Sequence, residues 1–390
     1  MASVSTVMNE HTLQKDTITT TVEDSNPKPM NSNKASSTTT IVLISTDSTN
    51  GVVETENTSS AVVTAASDSC DTNCKGIVGL EGKRAAKCIG RNNKGVSWGF
   101  CLEQGRRSTM EDATAVHPAF MEVCCKDVGG CTAPEYKYSL EKSPVHFFGI
   151  FDGHGGDQVS NYCASELCEI VAEEWKRGNT LDGWSKRWEV ALCKAFERAD
   201  NTFKDEVLAP KYVGSTALVL IISACQIIAA NCGDSRAVLC RGARAIPLTV
   251  DHKLDRADEI ERITSSGGRI LNWGCLRVEG VLSMSRAIGD HDLKPWVISV
   301  PEVTFTTRTE EDECLILASD GLWDVLSNEE VVKLARKELR QRRRLVGVND
   351  SAFPPAWYVS QQVVKQALDA CSYDNVSIIV VDLKIPRIRH

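Results

Sequence analysis

Aspartates standing at the ends of short apolar runs constrain this chain more than any other feature. Residues 147–151 lead into Asp152, residues 314–319 lead into Asp320, and residues 376–383 follow Asp374. Runs of this length, rich in Val, Ile and Phe, predict buried strands rather than helices. A carboxylate at the mouth of a buried strand is expensive to desolvate, so several that converge there call for a cation. Glu111 and Asp112 in Met110-Glu111-Asp112-Ala113 add a further acidic turn, and Asp234 in Gly233-Asp234-Ser235-Arg236 another. Taken singly, each Asp-Gly reads as an ordinary hairpin turn; only their sum favours a metal site. Oxygen ligands without neighbouring Cys or His point to hard ions, Mg²⁺ or Mn²⁺. Gly153 and Gly321, which follow two of the aspartates, remove side-chain bulk and let backbone carbonyls or water approach the ion.

The rest of the chain from about residue 96 supplies the layers. Residues 158–176 space Val159, Cys163, Leu167, Ile170, Val171 and Trp175 along one helical face, and residues 184–207 repeat the pattern through Trp188, Ala191, Leu192, Ala195, Phe196, Ala199 and Phe203. After Gly214 come strand-like runs at 215–223, 226–231, 237–241 and 245–248, read as an antiparallel meander with a turn at 233–236. Helices are predicted over 255–266, closed by Gly267 and Gly268, over 328–340 and over 359–370, with strands at 314–319 and 376–383. Because strands and helices come in blocks, the fold class expected is α+β, with antiparallel sheets and helices packed outside.

Residues 1–70 hold 26 Ser or Thr and no Trp, Phe or Arg, and only 41–44 is apolar enough to pack. We expect a disordered Ser/Thr-rich tail over 1–80, a catalytic domain over 95–385 and a short basic tail at 386–390. Neither a secretory leader nor an organelle transit peptide is expected, and no run approaches a membrane span. The 16 cysteines read as reduced thiols used as small core residues. Cys70 with Cys74, and Cys124 and Cys125 with Cys131, have spacings that could bind zinc, but no pair of histidines accompanies them. The sequons at Asn57 and Asn375 are expected to be silent. A formal charge of −8 argues against nucleic acid as a partner. One basic cluster, Arg336, Lys337, Arg340, Arg342, Arg343 and Arg344, reads either as a helix end suited to the dipole or as a nuclear-import signal.

In order along the chain, residues 107–113, Phe148-Gly-Ile-Phe-Asp-Gly-His-Gly-Gly156, 214–217, Asn231-Cys-Gly-Asp-Ser-Arg-Ala237, 285–290, Leu317-Ala-Ser-Asp-Gly-Leu-Trp-Asp324 and 374–377 resemble the motifs of the metal-dependent protein phosphatase 2C family. The resemblance implies a central antiparallel β-sandwich flanked by helices on both sides. It also implies two metal ions that activate a water for attack on phosphorus. Asp152 would bridge the ions, the Gly153 carbonyl would complete one, Asp320 and Asp374 would hold the other, and Glu111 and Asp112 would lie beside them through water. Asp234, Asp320 and Asp324 match a weaker third site. Arg107 matches a phosphate-binding arginine, and its planar fork suits a phosphoryl dianion. His154 matches the acid that protonates the leaving serine or threonine oxygen. Read without the motif, Arg107 is a surface salt-bridge partner and His154 a turn histidine. Asp290 is expected to give structural support.

Residues 267–290 and 293–297 are similar to the plant group A branch of the family, the abscisic acid co-receptors. There a tryptophan over the active site inserts into the hormone-bound receptor, and Trp273 stands at the matching position, beside Arg277; Gly155 belongs to the same expected contact surface. A Trp between Asn272 and Gly274 is either an interface anchor or packed on its own domain. Cys275 and Leu276 depart from the Gly-Ala-Arg expected after the tryptophan, which bears on receptor affinity, and the stretch 124–143 is longer and richer in cysteine than the family leads one to expect. The partners implied are a hormone receptor and phosphorylated kinases of the sucrose-nonfermenting-related type, with a monomer expected in cytoplasm and nucleus. Two rivals remain. In one, Cys101 and Arg107 form a thiol-dependent phosphatase loop, although Gly105 is one position late for it. In the other, the chain is a stoichiometric kinase-binding inhibitor with catalysis secondary.

Overall fold

The computed structural model describes residues 95–129, 131, 142–178, 183–345 and 353–384, with two two-residue strands, β1 (Thr17–Ile18) and β2 (Ile41–Val42), which pair with each other. Apart from those two strands, the expected disordered tail, with the pair Cys70 and Cys74 and Asn57, lies outside the described residues, as do the basic tail 386–390 and most of the insertion after Cys124. From residue 97 the order is β3 (Ser97–Glu103), β4 (Ala113–Cys124), α1 (Cys125–Val128), β5 (Lys142–Phe151), β6 (Gly153–His154), α2 (Gln158–Arg177) and α3 (Trp184–Asn201). Then come β7 (Gly214–Ser215), β8 (Ala217–Ile222), β9 (Gln226–Cys232), β10 (Arg236–Arg241), β11 (Arg244–Pro247), α4 (Ala257–Ser265), β12 (Ile270–Asn272), β13 (Leu276–Val278) and β14 (Ile288–Gly289). The chain finishes with β15 (Glu302–Thr307), β16 (Asp312–Ala318), α5 (Asp320–Trp323), α6 (Asn328–Arg343), α7 (Pro355–Asp369) and β17 (Val376–Asp382).

Two five-stranded antiparallel sheets form the centre, ordered β11-β10-β16-β17-β3 and β15-β9-β8-β5-β4. Successive side chains on a strand point to opposite faces, and here both faces are covered. Along β5, Phe148 and Ile150 meet Leu315, Leu317, Ile379 and Val381 of the other sheet, while Val145, Phe147 and Phe151 pack under α2 and α3. On the other sheet, Cys314, Ile316, Val376 and Ile378 face α6 and α7. Double burial is why these strands read as continuous apolar runs, and the expected sandwich with helices on both sides is the architecture found.

The structure corrects several boundaries. The second helix stops at Asn201 rather than 207; Phe203 extended its apolar period but is buried from a turn, edge-on to Tyr162 at 5.2 Å. The last helix starts at Pro355, four residues early, with proline in its first turn where the missing N–H is not needed. The strands after Gly214 do not make one meander. β8 pairs with β9 and β10 with β11, but β9 and β10 lie in different sheets, so residues 233–235 cross between them. The basic cluster is partly structural: Arg340 and Arg343 pair with Glu313, Arg343 also grips Asp382, and Arg342 lies 3.9 Å over the Tyr358 ring. Cys101, the nucleophile of the thiol-dependent rival, is 2% exposed in the core under α7, where burial pushes its thiol up to about 12. A thiol held there is no nucleophile at neutral pH, and that reading falls.

Candidate active site

One end of the sandwich collects the acidic turns because their strands either finish or begin there. Asp152 follows the last residue of β5, Asp320 follows Ser319 at the end of β16, and Asp374 lies two residues before β17. Asp112 immediately precedes β4. Asp234 arrives by the crossing from β9 to β10, in which Gly233 has φ +120° and a Cβ would sit 2.6 Å from Thr216. Carboxylate oxygens of Asp152, Asp234 and Asp320 lie within 4.8 Å of one another. Asp112 and Asp234 are 6% and 4% exposed, so little water screens them.

Burial first, then the neighbouring carboxylates, hold a proton on this cluster. Asp112 and Asp234 rise to about 7, Asp320 to about 6, and Asp152 well above its ordinary range. Ser319 donates to Asp112 at 2.9 Å and offsets only part of the cost. Asp234 Oδ1 is buried without a hydrogen-bond partner. An unpartnered carboxylate oxygen among other carboxylates is the chemistry of a hard divalent cation, and the residues fit one. The two glycines are required by packing of the turns on one another: a Cβ on Gly153 would stand 2.3 Å from the Glu111 carbonyl oxygen, and one on Gly321 would stand 2.0 Å from that of Asn375.

Neighbouring residues clamp the ligand turns. Thr216 holds Asp152 from both sides, its N–H donating to the Asp152 carbonyl at 2.8 Å and its Oγ1 accepting from the Asp152 N–H at 3.0 Å. His252 Nδ1 accepts from the Gly233 N–H at 3.1 Å, and Arg236 grips Asp251 with two hydrogen bonds of 2.9 and 2.6 Å, so the turn carrying Asp234 is fixed at both ends. Asn375 staples the 104–111 loop: its amide donates to the Gln104 and Thr109 carbonyls at 2.8 and 2.9 Å and accepts from the Glu111 N–H at 2.8 Å. The sequence marks Asn375 only as a sequon and a neighbour of Asp374. The one local hint of its role is an asparagine beside a ligand at a strand mouth, a place where amides bridge loops.

A cleft of about 440 Å³ opens over the acids, lined among others by Arg107, Glu111, Asp152, Gly153, His154, Gly155, Arg277, Asp320 and Asp374. Arg107 is half exposed at its mouth and donates to Asp374 Oδ2 at 2.5 Å, a bond that raises the guanidinium further above its ordinary value. His154 Nε2 lies 2.9 and 2.8 Å from the two oxygens of Asp290, and its Nδ1 has no partner. Burial lowers this histidine, but the Asp290 bond and charge outweigh it and the net shift is upward. Asp290 therefore does more than support the backbone. Asp324 is exposed at the C-cap of α5, paired with Lys253 at 2.9 Å, and is not one of the three mutually close acids.

Trp273 lies between β12 and β13, 71% exposed, with Gly274 at φ +90° making the turn. Its ring edge leans on Gly280, where a Cβ would be 2.9 Å away. Arg277, on β13, donates to the Val281 carbonyl, so hairpin and cleft wall are one unit. Gly155 is exposed at φ +72°, beside the Tyr212 carbonyl.

Comparison with known proteins places this arrangement. A family model described as Protein phosphatase 2C matches residues 97–376. The chain is 45% identical over 312 residues to Probable protein phosphatase 2C 6 of Oryza sativa subsp. japonica, covering 74% of this chain and 67% of that one. It is 44% identical over 308 residues to Protein phosphatase 2C 56 of Arabidopsis thaliana, covering 74% and 68%. A solved serine-threonine phosphatase 2C from Toxoplasma gondii shares the fold, with a TM-score of 0.57 at 24% identity over 74% of this chain and 95% of that one. With a match over most of the described chain and a cluster of carboxylates fitted to hard cations, the chain belongs to the protein phosphatase 2C family and is a metal-dependent protein serine/threonine phosphatase.

Proposed function

We propose that this phosphatase takes two Mg²⁺ or Mn²⁺ ions, with room for a weaker third, and acts in abscisic acid signalling, where a hormone-bound receptor closes its cleft. Asp152, Gly153, Asp320 and Asp374 would hold the pair, Glu111 and Asp112 would support it through water, and Asp234 and Asp324 would serve the third with Asp320. Such ions supply charge neutralisation for the phosphoryl group and an activated water. The chain's own residues do the rest. Arg107 exchanges Asp374 for phosphate, since its planar fork matches two phosphoryl oxygens better than one carboxylate oxygen. His154, charged through Asp290, lines the cleft and would give its proton to the departing serine or threonine oxygen.

The observation that carries the regulatory part is Trp273: a large aromatic 71% exposed on a hairpin continuous with the cleft wall. Exposed tryptophan on a rigid turn is an interface anchor. Likeness to the group A branch in residues 267–290 supports the receptor as the partner, phosphorylated kinases as substrates, and cytoplasm and nucleus as the setting; we take the protein to work as a monomer. Metal-loaded phosphatase activity is measured with abscisic acid and receptor, for wild type and Trp273→Ala. The wild type is inhibited only with hormone, and the variant keeps its basal activity but loses most of that inhibition. Undiminished inhibition of the variant removes Trp273 from the interface.

A further inference from the structure

The pair His154 and Asp290 is held by a residue that none of the catalytic motifs contains. Asp200 is near the C-terminus of α3 and 7% exposed. A carboxylate there opposes the helix dipole and is costly to bury, so helix stability does not account for it. Its Oδ1 accepts from the Gly289 N–H at 2.8 Å and from Lys294 Nζ at 3.0 Å. Gly289, at φ +87°, and Asp290, at φ 49° and ψ 44°, are two consecutive residues in left-handed backbone. For Asp290, which carries a Cβ, that conformation is strained and persists only if neighbours impose it. The neighbours are Asp200 on the Gly289 N–H and the Val213 carbonyl on the Asp290 N–H, at 3.1 Å. The result is narrow. A Cβ on Gly214, paired with both Gly289 and His154, would lie 2.0 Å from Asp290 Oδ2 and 2.6 Å from His154 Nε2.

We propose that Asp200 is a positioning residue for proton delivery: its carboxylate, neutralised by Lys294, holds the Gly289–Asp290 turn so that both Asp290 oxygens face His154 Nε2. The proposal rests on the reading of His154 as the acid for the leaving group. Loss of Asp200 lets the turn relax toward unstrained backbone, carrying Asp290 away from the imidazole. Metal ligands and Arg107 are untouched, because none of them hydrogen-bonds to this turn.

The leaving group separates this role from a general structural one. A phosphothreonine peptide expels an alkoxide that needs a proton, whereas p-nitrophenyl phosphate expels a stable phenolate that does not. Asp200→Ala is expected to lower kcat on the peptide by about tenfold or more, part of the roughly 10²–10⁴-fold that a general acid supplies, and on p-nitrophenyl phosphate by no more than about twofold. Asp200→Asn, whose amide oxygen still accepts from Gly289, recovers most of the peptide activity. Should Asp200→Ala not fold, Asp200→Glu keeps the charge and the Lys294 pair but displaces the turn, and the same selective loss is expected. Equal loss on both substrates, or none on either, overturns the proposal. His154→Ala is run beside them. If it discriminates between the substrates and the Asp200 variants do not, the positioning role alone fails; if it too does not discriminate, the acid reading fails and the proposal with it.

Discussion

Replacing Asp112 by Asn should stabilise the metal-free protein, and by a margin that depends on pH. Asp112 is 6% exposed, and burial raises its carboxyl from 3.8 to about 7. A folded-state value above the unfolded one means that the native state binds the proton more tightly. The associated stability is complete below about 4 and is lost as pH rises through about 7. The loss runs at about 1.4 kcal/mol per pH unit and totals about 4 kcal/mol, an upper figure because neighbouring carboxylates share the proton. Asn keeps an oxygen for the Ser319 hydroxyl and carries no charge. Urea unfolding of both proteins with chelator, at about pH 5.5 and about pH 8, should show the variant's advantage growing by about 2 kcal/mol between them and staying flat above. His252 shifts the other way, lowered to about 4 by burial, but both proteins carry it and it cancels in the difference. An advantage that is absent at pH 8, or that does not change with pH, refutes the electrostatic account of the site.

Two further outcomes follow from the clamps. Asn375→Ala removes three hydrogen bonds to the 104–111 loop, which should cost about 2–3 kcal/mol in urea unfolding and weaken Mn²⁺ binding measured by calorimetry. Unchanged metal affinity would place that loop outside the metal site. Arg107→Ala should raise KM for a phosphopeptide and the inhibition constant for inorganic phosphate by about tenfold to a hundredfold while leaving thermal stability nearly unchanged, since its exposed pair with Asp374 contributes little.

What the sequence revealed and what it hid divide along the range of the interactions. β5, β16 and β17 were legible because covering both faces of a strand leaves an apolar run that needs no partner to recognise. α2 was legible for the same reason in helical period. Which sheet β10 joins was not, because its neighbour β16 is chosen by pairing such as Val238 with Ile316, far along the chain, while the short turn from β9 looks like any hairpin. The acids could be collected as candidates because each carries its own local sign, a carboxylate where an apolar run stops. Their clamps carry no such sign: Asn375 bonds across 264, 266 and 271 residues, and Asp200 reaches Gly289 across 89. Asp290 shows the same limit, since only the fold reveals that its neighbour is His154.

The cost of the acidic cluster and the affinity for cations are one quantity seen from two sides. Asp152, Asp234 and Asp320 are held within 4.8 Å by strand ends that belong to both sheets, and those ends cannot move apart without opening the core between Phe148 and Leu317. Without a cation the cluster relieves repulsion only by taking up protons. A divalent ion displaces those protons, so its binding must strengthen with pH over the window in which the metal-free protein weakens. Asp112→Asn, if it steadies the metal-free fold, should therefore bind Mn²⁺ less tightly by a comparable free energy, because the variant no longer stores the repulsion that a cation relieves. Greater stability without any loss of metal affinity would mean that the rigid sandwich holds the acids for some other purpose.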